Sequence, residues 1–169
     1  MNGVQFEELC RRFVAKTLGM RVEEVRWLRV PAAVRPGQAA DTYQVDLWWE
    51  TASPLGRYVT IADAKWRVRQ KIDRIDVLLL EQFRIGAGAH KAMLISNAQF
   101  TAGVLRTAER LGIAVHRLEP TFPTEGLPRT NRAQIQQTLD RLSAARPLWR
   151  HGVVCKGVSR RSRPQSGHS

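Results

Sequence analysis

No run of about eighteen apolar residues occurs in this 169-residue chain, so no membrane-spanning helix is expected. The opening segment, Met1-Asn2-Gly3-Val4-Gln5-Phe6-Glu7-Glu8, lacks the basic-then-apolar order of a secretory signal. Cysteine is scarce: Cys10 and Cys155 lie far apart, without a CxxC pair, and the histidines have no ligand spacing. That argues against a thiolate metal site or a disulfide framework. It fits two free thiols in a reducing, cytoplasmic setting. Internal repeats are absent. Acidic residues stop at Asp140, and this lack of one charge sign is the most lopsided feature of the composition.

What remains is strongly basic. The chain holds 27 Lys and Arg against 15 Asp and Glu, a net charge of +12. Residues 141–169 carry seven of those cations and no carboxylate, and the first 140 residues keep an excess of five. Such a surface attracts polyanions, nucleic acid first among them. With 43% hydrophobic residues the chain can also bury a core, and its length suits one ordinary domain.

Hydrophobic periodicity predicts a helix over 4–19, with Phe6, Leu9, Cys10, Phe13, Val14 and Leu18 on one stripe and Gly19 as its stop. Helical geometry sets Glu7 inside that apolar arc, needing a partner, and Glu8 on the solvated side. Short strands are expected at 24–30, 43–50, 57–65, 92–95 and 113–118, and helices near 72–85, 101–111 and 131–145. Antiparallel pairing early and crossover helices later imply an α/β fold, a mixed sheet flanked by helices. We therefore expect a core over 1–119, a linker and C-terminal helix over 120–146, and a basic, flexible tail over 147–169.

The chemistry concentrates between Asp46 and Lys65. Two apolar strands, carrying Val45-Asp46-Leu47 and Ile61-Ala62-Asp63-Ala64-Lys65, flank the turn Ser53-Pro54-Leu55-Gly56. A hairpin centred between Pro54 and Leu55 places Asp46 opposite Asp63, with Lys65 following on the same face. A three-residue loop with a bulge at Gly56 would instead send the two carboxylates to opposite faces. Carboxylates in apolar strands must be paired, hydrogen-bonded or bound to metal.

Two carboxylates and a lysine meet the needs of phosphodiester hydrolysis. Mg²⁺, or Mn²⁺ in its place, takes hard oxygen ligands: Asp46, Asp63 and the Ala64 carbonyl are the candidates. Lys65 would orient or deprotonate the attacking water, or neutralise the transition state. Glu7 would hold a water or a second ion. The basic segment Arg67, Arg69 and Lys71, and Arg160 and Arg161 in the tail, are the candidate nucleic-acid contacts. Asp41 is a loop residue that could join the metal site.

These residues resemble the Mrr-like branch of the restriction-endonuclease, or PD-(D/E)xK, superfamily over about residues 5–119. The resemblance rests on Phe6-Glu7, Val45-Asp46, Asp63-Ala64-Lys65, the run Ile95-Ser96-Asn97-Ala98-Gln99-Phe100-Thr101, and Gly112-Ile113-Ala114-Val115. It implies a metal-dependent DNA endonuclease, with Asp46 and Asp63 as ligands, Lys65 as the catalytic lysine and Glu7 as an accessory acid. Two positions depart from the family pattern: Gln44 stands where a glycine commonly precedes Val-Asp, and Asp63 where many relatives carry Gln or Glu. No winged-helix segment of the kind some relatives use to read DNA is expected within these residues. Specificity is therefore expected from loops, the basic tail, a partner protein or a homodimer, with 131–146 as a candidate dimer element whose apolar stripe is more often plain core. The competing readings are a catalytically silent nucleic-acid-binding module of the same fold and a basic assembly protein docking through its tail.

Overall fold

The computed structural model describes residues 1–31 and 42–157. Asp41, Arg160 and Arg161 lie outside the described residues. The first helix, α1 (Gly3–Leu18), is set by local chemistry at both ends. Asn2 and Gln5 form a reciprocal capping box, and Gly19 closes the helix at φ 67°, a left-handed conformation that glycine adopts without strain. A turn of 3₁₀ helix (Val22–Glu24) leads into β1 (Arg26–Pro31), then β2 (Thr42–Ser53) and β3 (Gly56–Lys65).

The rest follows as α2 (Arg74–Gly86), β4 (Lys91–Ser96), α3 (Ala102–Leu111), β5 (Ala114–Pro120), α4 (Arg132–Ser143) and β6 (Trp149–Lys156). The six strands form one sheet in sequence order. β3, β4 and β5 run parallel, and every other neighbour is antiparallel. Parallel neighbours need crossover connections. Here α2 and α3 supply them, and both pack on one face of the sheet, around Val77, Leu80, Leu94, Val104 and Ile113. The other face is covered by α1 and α4, through Phe6, Leu9, Phe13, Leu47, Ile135 and Leu139. The expected α/β architecture, a mixed sheet flanked by helices, is present.

Two expectations are corrected here. The tail was expected to begin at residue 147, but 149–156 form β6, paired antiparallel with β5 from Ala114 to Pro120. At its end Gly157 has φ 62°, and a Cβ there would lie 2.6 Å from the Ala114 nitrogen, so only glycine fits this approach. The segment read as a linker is anchored, because Phe122 and Leu127 are buried in the core. Helix α4, a candidate dimer element, spends its apolar stripe internally, with Ile135 and Leu139 both fully buried.

Candidate active site

The hairpin of β2 and β3 turns through Pro54 and Leu55, with Ser53 paired to Gly56 and Leu47 to Ala62. Continued by one residue, this register sets Asp46 across from Asp63; the bulged alternative is not adopted. Along β3 the side chains alternate: Ala62 and Ala64 enter the core beneath α1, and Ile61 enters the core beneath α2. The pleat therefore turns Asp63 and Lys65 to the α2 side.

Three contacts tie the cluster together. The Lys65 Nζ lies 2.9 Å from Asp63 Oδ2. The Ala64 amide donates to Asp46 Oδ2 at 3.0 Å, fixing that carboxylate at the strand end. Asp46 is also Asp63's neighbour: burial first, then hydrogen bonding and charge from Asp46, push the Asp63 carboxyl up to about 7. Burial alone would pull Lys65 down, but the Asp63 carboxylate outweighs it and the lysine is raised.

A hard divalent cation fits this donor set. Asp63 is only 8% exposed and sits against a second carboxylate, an arrangement that a cation would relieve. Among the described residues no group of three or more His, Cys, Asp or Glu converges on one point. Two carboxylates, a backbone carbonyl, waters and substrate oxygens make up the shell that Mg²⁺ commonly takes.

The helix reading of Glu7 and Glu8 needs correction. Glu8, expected on the solvated side, is fully buried, and receives Arg11 (2.8 Å), Arg132 (2.7 Å) and Gln136 (2.8 Å). The reason is α4, which packs against that flank of α1 and delivers Arg132 and Gln136. Glu7 pairs with the other arm of Arg132, at 2.5 Å. Among the described residues no hydrogen bond or ion pair joins Glu7 to Asp46, Asp63 or Lys65. The buried Cys10 thiol on the same helix is pushed up by burial and then by Asp46, Glu7 and Asp63.

The basic segment after Lys65 is strapped at its root. Asn97 accepts from the Arg67 amide at 2.8 Å and donates to the Arg67 carbonyl at 2.7 Å, while Ser96 Oγ donates to the Lys65 carbonyl at 2.7 Å. The far end is plugged by Ile72, 1% exposed, which bridges to Phe100. Between these anchors Val68, Arg69, Gln70 and Lys71 are exposed. Arg67 itself is half-buried and turned to Asp76 at 3.3 Å. Of the three cations expected to touch nucleic acid, Arg69 and Lys71 thus face solvent and Arg67 is already engaged. Trp66 packs its ring on Phe6, centroids 5.4 Å apart, as part of the core rather than as a free stacking platform.

Residue-by-residue reading missed Asn97, Asp76 and Arg132 as positioning groups. A Ser-Asn pair ending a buried strand was visible, but its partner became identifiable only once β4 lay beside β3. His116 meets His151 of β6 at 2.9 Å, with its pKa pushed down to about 4 by burial and then by that neighbour.

Comparison with curated proteins and with solved structures gives no match. A family model, Mrr_cat, described as a restriction endonuclease, matches residues 1–117. That span runs from α1 through β5 and holds Glu7, Asp46, Asp63, Lys65 and Asn97. The sheet, the hairpin that joins two carboxylates and a lysine, and this match together identify the chain as a member of the Mrr-type restriction endonuclease family.

Proposed function

We propose that this chain is a DNA endonuclease that hydrolyses phosphodiester bonds with Mg²⁺ or Mn²⁺. The observation that carries the reading is the pairing of Asp46 with Asp63 beside Lys65 at the end of β3. It is an arrangement that costs stability and has no structural return. Asp46, Asp63 and the Ala64 carbonyl are the groups that would hold the ion. When bound, it would supply Lewis-acid stabilisation of the phosphorane charge and a more acidic water.

The protein's own groups divide the remaining work. Lys65 Nζ, resting on Asp63, is free to swing its donors toward the attacked phosphate or its water once that carboxylate is otherwise engaged. The Ala64 amide keeps Asp46 from rotating away. Arg69 and Lys71, on the strapped loop, would grip backbone phosphates and set the register of the strand. Glu7, held by Arg132, would act at one remove, through a water or a second ion. Sequence or modification preference would fall to the exposed loop, the residues beyond 157 or a partner protein. Two thiols with no disulfide suit action in the cytoplasm.

Supercoiled plasmid, incubated with and without Mg²⁺ or Mn²⁺ beside Lys65→Ala, tests the proposal. Metal-dependent nicking or linearisation that the variant loses is the expected result. Cleavage that survives Lys65→Ala, or binding with no cleavage of unmodified, methylated or branched DNA, would sink it.

A further inference from the structure

The sheet carries the position of Lys65 sideways, strand by strand. Lys65 pairs with Ser96, Ser96 with Arg117, and Arg117 with Gly152 of β6. Paired residues point to the same side of a sheet, so Arg117 shares the face of Asp63 and Lys65. At about 4.8 Å per strand, its Cα lies about 10 Å from that of Lys65. Glu119 follows on the same face, opposite Arg150.

These residues line a cavity of about 390 Å³ with His151 and Gly152. Its charges do not cancel, because two guanidiniums share one carboxylate. Arg117 donates to Glu119 Oε1, and Arg150 Nη2 lies 3.4 Å from Glu119 Oε2. Arg117 Nε is buried with no hydrogen-bond partner among the described residues, so its fork is short of an acceptor. Gly152 opens the space beside it. No positive φ requires glycine there, and a Cβ would meet no described atom within 4 Å. Two arginine forks around an open space are the donor set that a phosphate takes.

From this placement we propose that Arg117 and Arg150, bridged by Glu119, form a second phosphate site that positions the DNA strand beside the Asp46–Asp63–Lys65 cluster. The offset of about 10 Å matches the axial rise of about three nucleotides of one strand. The site's part in cleavage rests on the nuclease reading, while its phosphate chemistry stands on the geometry alone. Glu119, Arg150 and Gly152 lie beyond the residues that the family model matches. Arg117 and Arg150 are positioning residues: they would fix where the strand crosses the sheet and leave the reacting atoms to the cluster.

The test is binding of the full chain to a fluorescent duplex oligonucleotide, read by anisotropy over a range of salt without divalent metal. Arg117→Ala and Arg150→Ala should each lower the slope of log affinity against log salt by about 1. Arg57→Ala, at the other end of β3 about 26 Å from Lys65, should leave the slope unchanged. Glu119→Gln removes the carboxylate that competes with phosphate, and should tighten binding roughly two- to fivefold. An ion pair that only pins β6 to β5 predicts no such gain. Gly152→Glu removes no contact and fills the cavity with a carboxylate, so it should weaken binding even if Arg117→Ala does not fold. Unchanged slopes in folded arginine variants, or a Glu119→Gln protein that binds no tighter, overturn the proposal. On plasmid, the arginine variants should raise KM and keep kcat. Slopes that fall as expected in a protein that never cleaves with Mg²⁺ or Mn²⁺ leave the phosphate site standing and sink the nuclease reading. Metal-dependent cleavage with unchanged slopes and KM does the converse.

Discussion

Among the described residues two acidic pairs each hold one buried carboxylate, Glu8 beside Glu7 and Asp63 beside Asp46, and their surroundings are opposites. Glu7 and Glu8 on α1 meet a full complement of donors: both arms of Arg132, a guanidinium nitrogen of Arg11 and the amide of Gln136. Asp46 and Asp63 meet one lysine and one backbone amide. The first cluster joins two helices through charge that is fully compensated. The second is left short of positive charge, and Asp63 responds by holding a proton up to about pH 7. A bound cation would relieve that undercompensation, which is why the pair supports the metal site proposed above.

Breaking the compensated pair should cost most in stability. Glu8→Ala strands Arg132 and Gln136 beside a fully buried hole, and urea unfolding should register a loss of about 3–5 kcal/mol. Catalysis per folded molecule should fall less than it does in Lys65→Ala. A Glu8→Ala protein as stable as wild type would erase the contrast between the clusters.

The uncompensated pair should behave with the opposite sign. Asp63→Asn removes one of two adjoining charges, so the metal-free protein should gain about 1–3 kcal/mol while plasmid cleavage is lost. The same logic gives a pH dependence. Asp63 is raised from an ordinary 3.8, so the folded chain binds the extra proton between about pH 4 and 7. This group's contribution is therefore fully present at the acid end and is lost as pH rises through that window. The metal-free melting temperature of wild type should fall across it relative to Asp63→Asn. Parallel profiles for the two proteins would remove the case for a raised Asp63 carboxyl. The smallest effect is at the rim, where Arg69→Ala or Lys71→Ala should each lower the slope of log affinity against log salt by about 1. Arg67→Ala, whose guanidinium is engaged by Asp76, should lower it less.

The hairpin was legible because strand parity is arithmetic: once Pro54 and Leu55 form the turn, Asp46 must face Asp63. The end of α1 was legible because Gly19 acts locally. Glu8 was not, since its burial depends on α4, whose Arg132 and Gln136 come 124 and 128 residues later. Nor was β6. Gly152 interrupts its alternation and Arg150 and His151 give it the composition of a tail, so only its pairing with β5 makes it a strand. The apolar residues of α2 were visible, but which of them faced the sheet depended on where the crossover helix lay.

The clasp of Asn97 on Arg67, with Ile72 seated at the other end, has a thermodynamic consequence. A loop tethered at both roots has already surrendered most of its conformational freedom during folding. A polyanion arriving at Arg69 and Lys71 then pays little ordering entropy, and more of each phosphate contact survives as affinity. Cutting that tether at Asn97 would leave the charges in place and move the cost of arranging them from the folding reaction to the binding reaction.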